Sequence, residues 1–136
     1  MFHEPRLRKH PEDYDPKILA LLEEGLACPA PEYARCKEHQ RRLREAMLPC
    51  FDGVDGLLVP ATTCPAPDAS TTGDPAFNSP WSYTGLPAVS FLSAWSEEGL
   101  PMGVQVIGRP WDEAGALAAA EWCEARLEVE HRTPPV

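Results

Sequence analysis

Long apolar runs are missing from this sequence of 136 residues, and no stretch approaches the length that spans a bilayer. Residues 1–16 contain early basic side chains, but they hold neither the apolar core nor the small-residue cleavage site of a secretory signal. These absences predict a cytoplasmic chain of one ordinary domain with no membrane partner.

Basic side chains are also scarce. The 12 lysines and arginines stand against 21 aspartates and glutamates, which gives a formal net charge of −9. The basic cluster of Arg41, Arg42 and Arg44 lies between Glu38 and Glu45. Because binding to a phosphate backbone requires a basic face, we expect no nucleic-acid partner and interpret the cluster as the solvated side of a helix.

Metal-binding and disulfide patterns are absent as well. The five cysteines form an odd set without a C-x-x-C pair, and the four histidines are scattered among polar residues. We therefore expect no metal and no cofactor. Cys36, Cys50 and Cys123 fall at apolar positions of predicted helices, where cysteine usually serves as a small buried hydrophobe. The histidines are His3, His10, His39 and His131.

The sequence also lacks the common hydrolase signatures. It contains no G-x-S-x-G elbow, no phosphate-binding loop and no H-E-x-x-H motif. Its serines and threonines are nucleophiles in principle, but the sequence places no base beside them. Cys64, which precedes Pro65, is a candidate reactive thiol if it is exposed, although no histidine is placed to activate it.

Two helices are predicted before the first strand. Asp15 is the expected N-cap of the first, Pro16 its first residue and Gly25 its end. A longer helix follows, with Pro31 in its first turn. The apolar face of the first helix is Ile18, Leu19 and Leu22, and the stripe of the second is Tyr33, Cys36, Leu43, Met47 and Cys50 or Phe51.

Three strands and a last helix complete an α/β pattern. The consecutive Leu57, Leu58 and Val59 predict a strand covered on both faces within a mostly parallel sheet. Residues 88–92 and 102–108 flank a W-S-E-E-G turn and predict an antiparallel hairpin. In it Met102, Val104 and Val106 share one side. Asp112 is the expected cap of the final helix, whose alanines allow a close approach to the sheet. The predicted apolar stripe of this helix is Leu117, Ala120, Cys123 or Glu124, and Leu127.

Residues 61–77, rich in Thr, Pro, Ala and Asp, show no periodicity. Long structureless loops in compact chains are usually functional or disordered. This segment is therefore the first candidate for the wall of a binding pocket.

Three motifs carry a resemblance to a known family: FDGVDGLLVP at 51–60, FNSPWSYTGLPAVS at 77–90 and GLPMGVQVIGRPWDE at 99–113. Over nearly its whole length the chain resembles the C-terminal portion of the amidase signature family. The resemblance implies an α/β/α sandwich with a mixed sheet, of which residues 1–136 form one partial domain with no separate second domain. Members of that family hydrolyse amide C–N bonds, and one branch forms the glutaminase subunit of tRNA-dependent amidotransferases.

The catalytic residues of the family do not carry over. Its Ser-cisSer-Lys triad lies upstream of the region matched here, and this sequence contains no G-G-S-S-G-type run. The surroundings of its three lysines, Lys9, Lys17 and Lys37, do not resemble those of the family lysine. The resemblance therefore assigns no catalytic residue to this chain.

The resemblance does assign structural segments to this chain. The strand ending at Pro60 matches a family strand, loop 61–77 matches a segment that lies toward the substrate channel in relatives, and residues 78–87 match a turn and helix leading into strand 88–92. Relatives often have Pro and Gly where this chain has Leu92 and Ala94, so the end of that strand is expected to differ.

The candidate substrate-binding residues are Thr62, Thr63, Phe77, Asn78 and Trp81. The alternatives are that Asn78 only caps a turn and that Trp81 belongs to the core. Gln105 is expected to be an inward-pointing polar residue satisfied by neighbouring backbone.

Three functions remain open. The favoured one is a truncated or separately encoded part of an amidase, inactive alone and active on a small amide once a complementary amidase chain supplies the serines and lysine. The second is a noncatalytic module that binds a small ligand or a protein and is a stable monomer. The third is an autonomous hydrolase with a new nucleophile such as Cys64. Self-association is expected if sheet edges are left open.

Overall fold

The computed structural model describes residues 2–130 and 132, which divide into two compact units between residues 39 and 40. His131 lies outside the described residues. The helices are α1 (Glu4–Lys9), α2 (Pro16–Ala27), α3 (Ala30–Met47), α4 (Ser79–Thr84) and α5 (Glu113–Leu127). Short 3-10 helices lie at Pro11–Asp13 and Leu48–Phe51. The strands are β1 (Leu57–Pro60), β2 (Ala88–Trp95) and β3 (Pro101–Ile107).

The first unit confirms the start of the predicted helix α2. The Asp15 carboxylate accepts a hydrogen bond from the Lys17 backbone N–H at 2.9 Å, and Pro16 occupies the first helical position. The predicted end at Gly25 is wrong, because α2 continues to Ala27. Glycine inside a helix costs only about 1 kcal/mol. The C-cap of α2 is Cys28, whose extended backbone is the conformation that a following proline favours.

The predicted stripe of α3 is confirmed only at its C-terminal end. Leu43 and Met47 are half-buried, and Phe51, in the 3-10 helix that follows, is completely buried. Tyr33 and Cys36, further upstream, are exposed. Cys50 and Cys36 are therefore not the buried hydrophobes that were predicted. At Cys50 the tighter 3-10 turn changes the helical phase, so that Phe51 takes the inward position.

The second unit contains a three-stranded antiparallel sheet in the order β1-β3-β2. The predicted hairpin of β2 and β3 is confirmed, with Val89 opposite Val106. The mostly parallel surroundings predicted for β1 are not found among the described strands, because β1 pairs antiparallel with β3. Its burial alternates, and Leu58 is exposed, so β1 is covered on one face rather than both.

Each face of the sheet packs against a different part of the second unit. On one face Ile107 joins Phe51 and Leu86 in a cluster that includes Trp81. On the other face Phe91, Val104 and Val106 pack against Ala120 and Cys123 of α5, which confirms the predicted shared side of Val104 and Val106. Cys123 is only half-buried, so its predicted burial is confirmed in part. The third predicted member, Met102, is exposed.

Helix α5 confirms its predicted cap and close packing but not its whole stripe. Asp112 accepts a hydrogen bond from the Gly115 backbone N–H at 3.0 Å. The buried positions are Ala116 and Ala120, whereas the predicted Leu117 and Leu127 are exposed. Alanine faces the sheet because the helix and sheet lie too close together for a larger side chain.

Strand β2 extends three residues beyond its predicted end, to Trp95. The register shifts between Leu92 and Ala94, where the Ser93 hydroxyl donates to the Met102 carbonyl oxygen at 3.0 Å. This shift is a β-bulge within the strand, which adds a residue without ending the pairing, and the expected difference from relatives at Leu92 and Ala94 stays a prediction.

Trp111 lies in an unfavourable backbone conformation. The Asp112 N–H donates to the Arg109 carbonyl oxygen at 3.1 Å, which closes a turn with Pro110 second and Trp111 third. Trp111 has φ of 65° and is 88% exposed. A turn with proline at its second position and a positive φ at its third position is typical of type II, and in that type the third position favours glycine.

We expect Trp111→Gly to stabilise the chain by about 1 kcal/mol, because glycine adopts this backbone without the steric cost. The urea midpoint measures the effect, and Trp111→Ala is the matched control because it removes the ring but keeps the strain. If Trp111→Ala stabilises as much as Trp111→Gly, the backbone explanation is wrong.

Candidate functional site

Residues 61–77 contain neither helix nor strand, as predicted. Side chains of this loop bond to its own backbone: the Ser70 N–H donates to Asp68 at 2.8 Å, the Gly73 N–H to Thr71 at 3.1 Å and the Ala76 N–H to Asp74 at 2.9 Å. Hydrogen bonds from the hydroxyl and backbone N–H of Ser70 lower the pKa of Asp68. The loop is thus built from successive local turns and carries negative charge.

Gln105 fastens the two ends of this loop. Its side-chain amide donates to the Pro60 carbonyl oxygen at 3.1 Å and to the Phe77 carbonyl oxygen at 2.6 Å, and the residue is only 4% exposed. The Ala61 N–H also donates to the Gly103 carbonyl oxygen at 3.0 Å. The prediction that backbone groups satisfy Gln105 is confirmed, and both ends of the loop are fixed to β3.

The loop and the sheet enclose a cavity of about 410 Å³, called the loop cavity below. Thr62, Thr63 and Asn78 contribute to its lining, together with Asp74 and Ser90. The Thr62 hydroxyl donates to the Cys64 carbonyl oxygen at 2.7 Å. The cavity therefore offers hydroxyl, amide and carboxylate groups to a small polar molecule.

A second cavity of about 550 Å³, called the helix cavity, lies beside α4. Asn78 and Trp81 contribute to it, together with Gln105, Glu113 and Leu117. Trp81 also packs against the buried cluster of Phe51, as the core alternative predicted, and its buried indole N–H has no hydrogen-bond partner among the residues that the structure describes. Asn78 occupies the N-cap position of α4 without making a side-chain cap bond.

The structure thus brings three of the five candidate binding residues to one cavity. Thr62, Thr63 and Asn78 line the loop cavity, Asn78 also borders the helix cavity, and Trp81 lines the helix cavity alone. Phe77 is half-buried and belongs to neither lining, although its carbonyl accepts from Gln105. The substrate role of these residues stays a prediction.

The loop cavity does not by itself assemble a hydrolytic centre. Cys64 is exposed and contributes to the lining, with the Thr63 hydroxyl 3.9 Å from its sulfur, and the lining contains no histidine. Across the described part of the chain, no group of three His, Cys, Asp or Glu side chains is arranged to hold a metal ion. None of the helices described here is both long and apolar enough to cross a membrane.

Ser90, outside the predicted loop, and Asp74, within it, line the loop cavity but were not among the five candidate binding residues. Ser90 lies opposite Gln105 in the sheet, and Asp74 precedes Pro75 in the last turn of the loop. The alternation of β2 was a usable signal for Ser90, because every second residue of a strand faces the same side. For Asp74 the signal was the G-D-P turn.

A family model described as Amidase matches residues 13–117. The chain is 35% identical to a fatty acid amide hydrolase of Medicago truncatula over 118 residues, covering 77% of this chain and 19% of that protein. It is 31% identical to the 1-carboxybiuret hydrolase subunit AtzE of Pseudomonas sp. strain ADP over 134 residues, covering 88% of this chain and 29% of that subunit.

A solved structure described as an amidase has the same arrangement of elements. It superposes with a TM-score of 0.82 at 31% identity over 91% of this chain, which corresponds to 31% of the amidase chain. The α/β fold class is therefore confirmed. The chain spans between about a fifth and a third of the length of the proteins that it matches.

Proposed function

The chain belongs to the amidase family, and we propose that it forms one part of an amide hydrolase whose serines and lysine are supplied by a complementary amidase chain. In this proposal the assembled enzyme hydrolyses the C–N bond of a small amide. The Thr62, Thr63 and Asn78 side chains of the loop cavity, with Phe77 and Trp81 beside them, border the channel through which the substrate enters. A cytoplasmic location, predicted from the N-terminal sequence, remains part of the proposal.

The observation that carries the proposal is the family match across residues 13–117 in a sequence without the G-G-S-S-G-type run. Exposed apolar side chains support it: Tyr33 on α3, Leu58 on β1 and Trp122 on α5 are each more than half exposed. Leu58 and Trp122 line one groove, and a contiguous exposed apolar surface is typical of a site that another polypeptide covers.

The second candidate is a noncatalytic binding module, and the local order of loop 61–77 favours it. Gln105 and the turns around Asp68, Thr71 and Asp74 hold the loop cavity in shape within this chain. A preformed polar cavity is suited to a small ligand. This candidate predicts a monomer that unfolds in a single sharp transition, whereas the first predicts self-association or poor cooperativity.

Amide hydrolysis tests the two candidates directly. The chain is assayed alone and mixed with a separately expressed N-terminal portion of the Pseudomonas 1-carboxybiuret hydrolase subunit, with a chromogenic anilide and with ammonia release from simple amides. We expect turnover in the mixture only. No hydrolysis by the chain alone or by the mixture, together with a monomer that unfolds in one sharp transition, would favour the binding module.

The same assay decides the role of Cys64. We expect Cys64→Ser to leave turnover by the mixture within about twofold, because the nucleophile comes from the complementary chain. The control is a serine-to-alanine change in the G-G-S-S-G-type run of that chain, which should abolish turnover. Turnover by this chain alone that disappears in Cys64→Ser would establish the third hypothesis, an autonomous thiol hydrolase.

A further inference from the structure

Asp74 is the acidic residue that lines the loop cavity, and local turns set its position. Gly73, which precedes it and also lines the cavity, turns the chain with φ of 84°. Oδ1 of Asp74 accepts a hydrogen bond from the Ala76 N–H at 2.9 Å, which fixes the side chain against its own backbone. Three residues after Asp74, the Phe77 carbonyl oxygen accepts from Gln105 of β3 at 2.6 Å. The carboxylate therefore lies on a segment that is fastened to the sheet.

No described residue neutralises this carboxylate. The lining of the loop cavity includes no lysine, arginine or histidine among the described residues, and none of the ion pairs between described residues involves Asp74. Its second oxygen, Oδ2, accepts no hydrogen bond from the described part of the chain. Such a carboxylate attracts a cation, and the attraction is stronger in a cavity than in open water because the walls displace solvent.

The other polar groups of the lining suit an amide. The Asn78 side chain makes no cap bond to α4, and Ser90 lies beside Gly103, where an added Cβ would come within 3.4 Å of the Ser90 hydroxyl oxygen. A side-chain amide and a hydroxyl both donate and accept, so they pair with the C=O and N–H groups of an amide. The cavity volume of about 410 Å³ lies near the lower end of the range for small-ligand sites.

We propose that Asp74 makes the loop cavity selective for small amides that also carry an ammonium group, an inference that rests on the function proposed above. The ammonium group pairs with Oδ2 of Asp74, and the amide group bonds to Asn78 and Ser90. An amide that carries a carboxylate is disfavoured, because Asp74 repels it. Since Asp74 is exposed, the attraction is that of a surface ion pair, which corresponds to a preference of about fivefold.

Three amides with one carbon skeleton test the selectivity: β-alaninamide carries an ammonium group, butyramide is uncharged and succinamate carries a carboxylate. Ammonia release from each is measured with this chain mixed with the N-terminal portion of the Pseudomonas 1-carboxybiuret hydrolase subunit. Asp74→Asn keeps the oxygen that accepts from the Ala76 N–H and removes only the charge. We expect it to lower the ratio of kcat/KM for β-alaninamide over butyramide by about fivefold and to improve succinamate turnover. Charges of the complementary chain cancel in this comparison, because they are the same with both variants.

Asp68→Asn is the matched control. Asp68 lies in the same loop and forms the same kind of turn, with the Ser70 N–H at 2.8 Å, but it does not line the loop cavity. Removing its charge should leave the ratio unchanged. Binding to this chain alone gives a second readout, because β-alaninamide should shift the NMR signals of the Gly73 and Ser90 amides. The affinity obtained from these shifts should fall about fivefold in Asp74→Asn and stay unchanged in Asp68→Asn.

A ratio that Asp74→Asn leaves unchanged would overturn the inference. An equal change in Asp68→Asn would overturn it too, because the net charge of the chain and not the cavity would then decide. So would a lack of shifts at Gly73 and Ser90 with all three amides. Binding of β-alaninamide that depends on Asp74, without hydrolysis by the mixture, supports this inference while contradicting the proposed function. Hydrolysis whose ratio does not depend on Asp74 supports the proposed function while contradicting this inference.

Discussion

Replacing Gln105 with leucine is expected to release both ends of loop 61–77 from the sheet. The variant fills a similar volume but loses the donors to the Pro60 and Phe77 carbonyl oxygens. Each carbonyl left unpaired out of contact with water costs about 1–3 kcal/mol. When the loop opens, water bonds to both carbonyl oxygens and this cost disappears. The variant should therefore show both a looser loop and a less stable fold.

Limited proteolysis measures the loosening. We expect a protease of broad specificity to cut Gln105→Leu within residues 61–77 on the order of ten times faster than the parent chain, since cleavage follows the population of the opened loop. Gln105→Glu should behave similarly at neutral pH, because a carboxylate cannot donate to a carbonyl oxygen.

The control for this experiment is Ser93→Ala. It removes one hydroxyl donor from the β2–β3 pair, at the Met102 carbonyl oxygen, without touching either end of the loop. Its loop should be cut at the parent rate. If the loop of Gln105→Leu is also cut at the parent rate, the two hydrogen bonds do not hold the loop closed.

The features that the sequence predicted correctly depend on near neighbours in the chain. Asp15 and Asp112 cap helices through backbone groups two and three residues away, and the hairpin is set by a short turn between two strands. Gln105 was predicted as satisfied because a strand interior surrounds an inward polar group with backbone. The caps and the hairpin need no knowledge of distant segments, whereas the Gln105 side chain bonds carbonyl groups that lie 45 and 28 residues away in the chain.

The incorrect predictions depend on what packs against an element. Leu57, Leu58 and Val59 are equally apolar, so the sequence could not show that Leu58 faces an uncovered groove. In α5 the buried stripe was predicted to include the leucines, whereas close packing against the sheet buries Ala116 and Ala120. Apolar character predicted neither case, because the deciding quantity was the distance to a neighbouring element.

In the candidate site, too, some features could be inferred from the sequence and others required the folded structure. The structure places Thr62 and Thr63 at a cavity, in the irregular segment between β1 and α4, and their substrate role stays a prediction. Phe77 was expected in the channel, yet the part of it that bonds is its carbonyl group, which no side-chain pattern reveals. Ser90 entered the lining through its register with Gln105, and register requires the paired structure.

The last prediction concerns the contact between α5 and the sheet, at Gly108. This residue is buried, and its N–H donates to the Pro87 carbonyl oxygen at 2.9 Å. A Cβ added there would lie 2.8 Å from the Ala116 Cβ and 3.2 Å from the Pro87 Cγ. Because the Ala116 Cβ is attached directly to the helix backbone, Gly108→Ala must displace the helix, and we expect a loss of about 1–3 kcal/mol in the free energy of unfolding.

The double variant Gly108→Ala, Ala116→Gly tests this cause. Ala116→Gly alone should cost about 1 kcal/mol through lower helix propensity. In the double variant it also removes the clashing atom, so the combined loss should be smaller than the sum of the two single losses. Urea midpoints measure the stabilities, and amide exchange along α5 reports the displacement of the helix.

Gly25→Ala is the control for the added methyl group, since a Cβ at Gly25 in α2 would meet nothing within 4 Å. It should stabilise the chain by about 1 kcal/mol, the difference in helix propensity between the two residues. If Gly→Ala raises the free energy of unfolding at position 25 and lowers it at position 108, the space available at Gly108 decides the effect. Strictly additive losses at Gly108 and Ala116 would instead show that the added methyl group does not meet the Ala116 Cβ.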